Sequence, residues 1–523
     1  MRKNWVYLLL LIFLTACQGL SSTSVPGITV TIAVDGKELE VNLPANSTVQ
    51  NALTIAGVVI GPLDQVAPPP TTIVALNDKI KVVRVREEFV EKTEVVPFEQ
   101  RVIKNESLPE GETRLLQPGS NGERSVTYRI VYEDEVEVSN MEFKSTTLQE
   151  AVPEISMVGV QAPFTPVNIS GVIAYLDSGN AWLLDASTGN RKPLITSGDL
   201  DGRIFTLSQD REWLLFTRKG DGSAEVINTL WVLRINRDDA EPIDLGVKNV
   251  IHFADFVPNS PQTVAYSTVE PRDSAPGWQA NNNLFYRKFS ASGTTGSQIE
   301  VMDANSGGIY GWWGVMFYWS PDGNRLAYAR PDEVGTVNLK TGEYNAQMSI
   351  IPYETRSDWA WVPGIAWSPD GKYFYTSSHN EEGNPSKPES STVFDLIAKP
   401  LEDDSFTVTL RSDYGMFANP VASAKLDSGD FYVAALQAIF PDQSDNSRYR
   451  LVVMDQDGSN QKVLLPEEGN PGLSPQTVQW SPDFQQGVMI SAIYEGNLWI
   501  LDVESGTRYQ VTGSGLVNRV SWK

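Results

Sequence analysis

The sequence predicts a mainly β protein: a small sheet-and-helix domain, an extended β-stranded domain, and a long terminal array of repeated four-stranded sheets. Three observations predict it. First, 40 Gly, 32 Pro, 14 Trp and 18 Tyr are spread through a chain with few long apolar runs, the composition of many short strands joined by turns. Second, the N-terminal third alternates apolar and polar residues with a period of two between glycine-containing turns. Third, a Trp-Ser-Pro-Asp-Gly motif followed by a strand recurs in the remainder. At 523 residues and about 150 residues per domain the chain has room for roughly three domains. Its 41% hydrophobic content excludes wholesale disorder.

Charge and residue counts narrow the function classes. Lys+Arg 41 against Asp+Glu 65 gives a net charge of -24, so no nucleic-acid partner is expected. A single cysteine excludes an intramolecular disulfide and a cysteine-cluster metal site. Two histidines, His252 and His379, leave little for zinc or a Ser-His-Asp relay, and no cofactor is expected.

The first residues read as an address. Arg2 and Lys3 precede an apolar stretch over 5–14, then Leu14-Thr15-Ala16-Cys17. This is a secretory signal, too short to span a membrane as a helix. The Leu-Thr-Ala-Cys spacing resembles the bacterial lipoprotein signal, which implies cleavage after residue 16 and lipidation of Cys17. The implied partner is a membrane, reached through the lipid, and the implied location is the outer face of the cytoplasmic membrane or the cell surface. Residues 17–27 form a polar tether. Without Arg2 and Lys3 the basic count falls to 39 and the net charge to -26, so anionic lipid would repel the body and the lipid must hold it.

Residues 28–86 begin with two alternating strands (ITVTIAV and KELEVNL) around Asp35-Gly36, a two-residue hairpin signal. Val49, Leu53 and Ala56 then recur at helical spacing, with Ser47 or Thr48 as N-cap. Further strands are expected at 72–76 and 79–86, giving a β-grasp order. Val34-Asp35-Gly36-Lys37, Ala56-Gly57-Val58 and Asn77-Asp78-Lys79-Ile80 resemble the ubiquitin-like domain that precedes surface G-five domains in bacterial wall proteins. Residues 87–161 continue the resemblance through Val96-Pro97-Phe98-Glu99, Leu108-Pro109-Glu110-Gly111, Gly119-Ser120-Asn121-Gly122 and a closing Val158-Gly159. The family's turn glycine after Glu133 is replaced by Asp134-Glu135, which threatens a φ > 0 turn. Between 86 and 155 there are 16 acidic and 8 basic residues, a local net of -8. The glycines fit backbone turns, and the long strands fit a stiff, elongated domain. The resemblance implies binding to N-acetylglucosamine-containing wall polymers; a rigid stalk explains the same residues.

Residues 162–523 carry the repeat. Trp319-Ser320-Pro321-Asp322-Gly323 recurs as Trp367-Ser368-Pro369-Asp370-Gly371 and, degraded, as Trp480-Ser481-Pro482-Asp483. Weaker copies lie at Leu207-Ser208-Gln209-Asp210, Phe256-Val257-Pro258-Asn259 and near Leu426. Gly171-Val172-Ile173-Ala174-Tyr175 lacks a preceding strand, while Val520-Ser521-Trp522 lacks a following one; joining them closes a β-propeller without an open edge. Seven repeats of about fifty residues result, or six if the copy near Leu426 is spurious. The repeat resembles those of TolB-like and WD-repeat propellers and is nearly silent on function.

Aromatic residues precede the first strand of successive repeats: Tyr310, Trp312 and Trp313, then Trp359 and Trp361, then Tyr414. They are the candidate ligand-binding residues, a stacking platform for sugar rings or apolar side chains. Packing of sheet against sheet is the alternative use. Asp455-Gln456-Asp457-Gly458 begins like a calcium loop, but its glycine comes too early and a hairpin turn explains it better. No nucleophile elbow, phosphate loop or dinucleotide fingerprint appears, and no catalytic residue is nominated. The expectation is a non-catalytic, lipid-anchored surface protein whose propeller recognises a glycan or a protein. The alternative is a hydrolase acting on a glycan or lactone through channel carboxylates.

Overall fold

A computed structural model of the protein describes residues 27–106, 108–160, 164–402 and 405–523. The expected signal peptide, Cys17 and all of the tether except its last residue lie outside them. Two compact units divide the chain: the residues up to Arg101 with Leu115–Ser156, and Val102–Arg114 with Met157–Lys523.

In the first unit, β1 (Gly27–Val34) and β2 (Lys37–Pro44) form the expected hairpin, with Val34 opposite Lys37. Asp35 and Gly36 both have positive φ, as a two-residue turn matched to strand twist requires. Helix α1 (Val49–Ile55) starts at Thr48, whose hydroxyl accepts from the Asn51 amide while the Asn51 side chain accepts from the Thr48 amide. With β3 (Gln65–Ala67) and β4 (Lys79–Val83) the sheet order is β2-β1-β4-β3, and β1 runs parallel to β4. Val30, Ile32, Val49, Leu53 and Ile80 close the core.

The strand expected at 72–76 does not form; only Ile73 makes a bridge, to Thr48. The backbone there is committed to the start of α1: Thr72 accepts from the Val49 amide and Val74 donates to Ser47. The ladder position goes instead to β3, which pairs with β4.

The next elements are β5 (Val85–Val96), β6 (Gln100–Asn105), β7 (Thr113–Gln117), β8 (Gly122–Glu133), β9 (Val136–Gln149) and β10 (Glu154–Gly159), in sheets β5-β8-β9 and β6-β10-β7. At about 3.3 Å per residue the 14 residues of β9 span roughly 46 Å. All but one of them are exposed. The β8–β9 turn keeps its left-handed geometry without glycine, with Asp134 at φ +45° and Glu135 at φ +65°. Arg84 compensates: its carbonyl accepts from the Asp134 amide and its amide donates to the Asp134 carboxylate. Two family glycines serve a purpose other than turns. A Cβ on Gly122 would sit 2.5 Å from the Gln149 carbonyl oxygen, and one on Gly159 would sit 2.0 Å from that of Pro109.

From Asn168 onward the second unit contains seven successive sheets of three or four strands among the described residues, besides a two-stranded sheet of Val269–Pro271 with Trp278–Ala280. The first joins β11 (Asn168–Asp177) and β12 (Asn180–Ile195) to Val517–Trp522, with Ile173 opposite Trp522 and Tyr175 opposite Val520. The ends of the array thus meet as the missing half-repeats demanded. The other six are four-stranded, and each is antiparallel in sequence order. Their first strands are Leu200–Leu207, Ala254–Val257, Met316–Trp319, Ile365–Trp367, Val421–Ala422 and Gln479–Trp480. The weak repeat near Leu426 therefore builds a sheet like the others. Its first strand ends at Ala422, and the Leu426 region is the loop that follows.

The repeat motif has a physical basis. Buried Ser320 donates its hydroxyl to Asp322 at 2.5 Å and accepts from the Arg325 amide, so one side chain closes the turn and registers the second strand. Ser368 with Asp370, and Ser208 with Asp210, repeat this arrangement. The motif tryptophans tie sheet to sheet: Trp367 donates to Tyr318 O and Trp480 to Val421 O.

Candidate functional site

The first strands of the seven sheets surround one axial cavity. One part, about 720 Å³, is lined by residues in or directly beside every one of them, including Leu207, Asp255, Tyr318, Ile365, Thr477 and Lys523. A second part, about 790 Å³, shares Asn419 and Thr477 with the first and opens where the first strands begin. Polar amides of Asn419, Gln476, Gln479 and Asn518 interrupt an otherwise mixed lining at this opening.

The candidate aromatic residues divide. Tyr310, Trp312 and Trp359, from the segments ahead of two neighbouring first strands, line a common cavity of about 190 Å³. Glu354 and Arg356 line it too, 3.5 Å apart, and Lys387 reaches Glu354 at 2.5 Å. The Lys387 ammonium holds the Glu354 carboxyl below its ordinary range. Tyr310 and Arg356 both have positive φ, at +57° and +53°. Such backbone strain in two bulky residues of one cavity is held in place by its surroundings and concentrates at functional sites.

The remaining candidates are packed. Trp361 is 1% exposed and donates to Met416 O at 3.0 Å, while Tyr414 is fully buried. Both therefore drop out of the stacking platform, because neither ring has a free face. Trp313 is only half-buried but is engaged by Trp278 at 5.4 Å and His252 at 5.5 Å. Burial pushes His252 down to about 4, so it is a neutral core ring. His379 is held between carbonyls of Ile351 and Ser391, each 2.8 Å away.

Two features of the axial cavity escaped the sequence reading. Asp255 faces it with its carboxyl pushed up by burial, Lys523 opposing, and the Phe256 amide donates to it at 2.8 Å. Arg203 and Arg519 lie in adjacent first strands. A Cβ at Gly202 would sit 3.6 Å from Arg519 Cγ. The readable signal was an arginine inside each of two first strands of a strongly acidic chain.

Among the described residues no group of three or more His, Cys, Asp or Glu is placed to hold a metal ion. The calcium-like segment is a turn in which Gly458 donates to Asp455 O and Asn460 to the Asp455 carboxylate. No helix among the described residues is long and apolar enough to cross a membrane.

Residues 87–161 match the G5 domain and residues 30–71 the G5-linked ubiquitin-like domain. No curated protein sequence is similar to the chain. The crystal structure of HP0197-G5 is 24% identical, covering 14% of this chain and 99% of its own at a TM-score of 0.14. A nidogen/laminin complex is 8% identical over 67% of this chain and 98% of that one, at a TM-score of 0.32. A chain from a structural and mechanistic analysis of two prolyl endopeptidases is 12% identical over 66% of this chain and 49% of that one, at a TM-score of 0.40. The chain carries the ubiquitin-like and G5 domains, and its successive sheets close on themselves as a β-propeller through the pairing of Ile173 with Trp522; the G5 domain points to a surface-associated protein.

Proposed function

We propose that this is a non-catalytic, lipid-anchored binding protein of the cell surface, whose propeller recognises a glycan through Tyr310, Trp312 and Trp359. The observation that carries the reading is their convergence. Three rings from the segments ahead of two neighbouring first strands meet in one cavity, with Glu354 and Arg356 beside them as directional hydrogen-bonding groups. Aromatic faces supply apolar contact to a sugar ring, and the charged pair addresses its hydroxyls. The ubiquitin-like and G5 domains would act as a stalk or as a foot on an N-acetylglucosamine-containing wall polymer, with attachment through a lipid on Cys17. A Cys17→Ser chain that stays in the detergent-extracted membrane fraction would remove the anchor from this account.

Glycan-array binding by the full chain tests the recognition step. The reading predicts retention of neutral amino-sugar oligomers, lost in Trp312→Ala/Trp359→Ala; an array with no retained glycan would refute it. The hydrolase alternative draws on Asp255, whose raised carboxyl is the kind of group a general acid requires. Hydrolysis of a lactone or glycoside that disappears in Asp255→Asn would replace the binding reading with the enzymatic one.

A further inference from the structure

The opening of the axial cavity is locally basic in a chain whose net charge is -24. Arg448 and Arg519 line it, against Glu495 as the one lining carboxylate among the described residues. Arg203 stands beside Arg519 on the adjacent first strand and is steered by the Trp278 ring, 5.2 Å from its guanidinium carbon. Arg203 and Arg519 form no ion pair with the carboxylate between them. Asp201 is already committed: it accepts from Thr217 and the Arg203 amide on one oxygen and from Asn228, at 2.8 Å, on the other. Among the described residues Arg519 donates to Asn518 O, at 2.8 Å, and Arg448 to the Ser474 hydroxyl. Although Arg519 as a whole is exposed, desolvation around its guanidinium, with the Arg203 charge second, holds it below its ordinary value, while Asp201 opposes this. Arg203 and Arg519 are exposed neighbours that make no ion pair among the described residues, and an anion held between them would gain charge-assisted hydrogen bonds from both.

The geometry points to this opening as a site for the carboxylate of an acidic saccharide. The anionic group sits between Arg203 and Arg519, and hydroxyls meet the surrounding amides of Asn419, Gln479 and Asn518. This deepens the glycan reading and rests on it, since it names the class of sugar. It also divides the labour between two places: the aromatic cavity takes a sugar face, and the axial opening takes the charge.

The test is titration of the full chain with tetragalacturonate, chitotetraose and inorganic phosphate at low and high salt. The site predicts that tetragalacturonate binds at least about tenfold more tightly than chitotetraose at low salt, with the advantage fading as salt screens it. Arg203→Gln/Arg519→Gln should abolish the advantage and leave chitotetraose binding unchanged. Arg203→Lys/Arg519→Lys should keep part of it, which guards against a folding defect in the neutral pair. The inference is overturned if wild type shows no acidic preference, if the preference survives the Gln pair, or if phosphate competes as well as the acidic sugar at equal concentration. Binding of chitotetraose without acidic preference would sink this inference alone; binding of neither saccharide would sink the glycan reading as well.

Discussion

The sheet β5-β8-β9 and the sheet formed by β12, β11 and Val517–Trp522 are both antiparallel and three-stranded, yet they are held by opposite means. In the first, side chains largely face water. Cross-strand pairs do the work: Arg124 with Glu94 at 2.9 Å, Arg86 at 3.8 Å over Tyr132, and Phe89 edge-on to Phe143 at 5.1 Å. In the second, Ile173, Leu176, Leu184 and Trp522 are buried, and Trp522 donates to Ser170 O at 2.7 Å. Identical ladders thus rest on unlike supports. Surface pairs of this kind contribute little each, whereas a buried aromatic contributes several kilocalories.

The largest expected contrast is between two aromatic truncations. Trp522→Ala should cost about 4 kcal/mol in the denaturant unfolding of the second unit, because it leaves a cavity where the array closes. Phe143→Ala, on the exposed sheet, should cost less than about 1 kcal/mol. Equal costs would break the comparison. Acidification gives a smaller effect, confined to the buried unit. His252 is held neutral, about 4 against an ordinary 6.5, so its contribution is complete above 6.5 and declines as pH falls toward 4. Wild type should therefore lose about 2 kcal/mol relative to His252→Gln between pH 7.5 and pH 5, read from paired denaturation curves.

On the exposed side, Glu135→Gly should stabilise by about 1 kcal/mol. Glycine removes the strain of φ +65°, and the ion pair lost to Arg86 is exposed. Smallest of all, Arg124→Gln should cost under about 1 kcal/mol at low salt and still less at high salt, since its partner Glu94 is also partly solvated.

The same contrast explains what the sequence made legible. The propeller announced itself because Ser320 and Ser368 bond both the turn and the second strand, so the repeat cannot drift far at those positions. Strand β3 was missed because its pairing with β4 depends on where the chain returns after α1, a tertiary fact absent from local alternation. The aromatic set was half legible. Position before a first strand predicted the face for Tyr310, Trp312 and Trp359, but nothing local distinguishes Trp361, two residues after Trp359, which turns into the core instead. Arg203 and Arg519 were hidden for a different reason: they are 316 positions apart, and only ring closure makes them neighbours.

The most direct measurement is calorimetric titration of chitotetraose into the full chain, into Trp312→Ala/Trp359→Ala, and into Trp361→Phe as a buried control. The account predicts that the first variant loses binding by about tenfold or more while its melting temperature stays put. Trp361→Phe should do the reverse, melting lower but binding like wild type. Undiminished binding in the double variant, or an equal loss in Trp361→Phe, would contradict it.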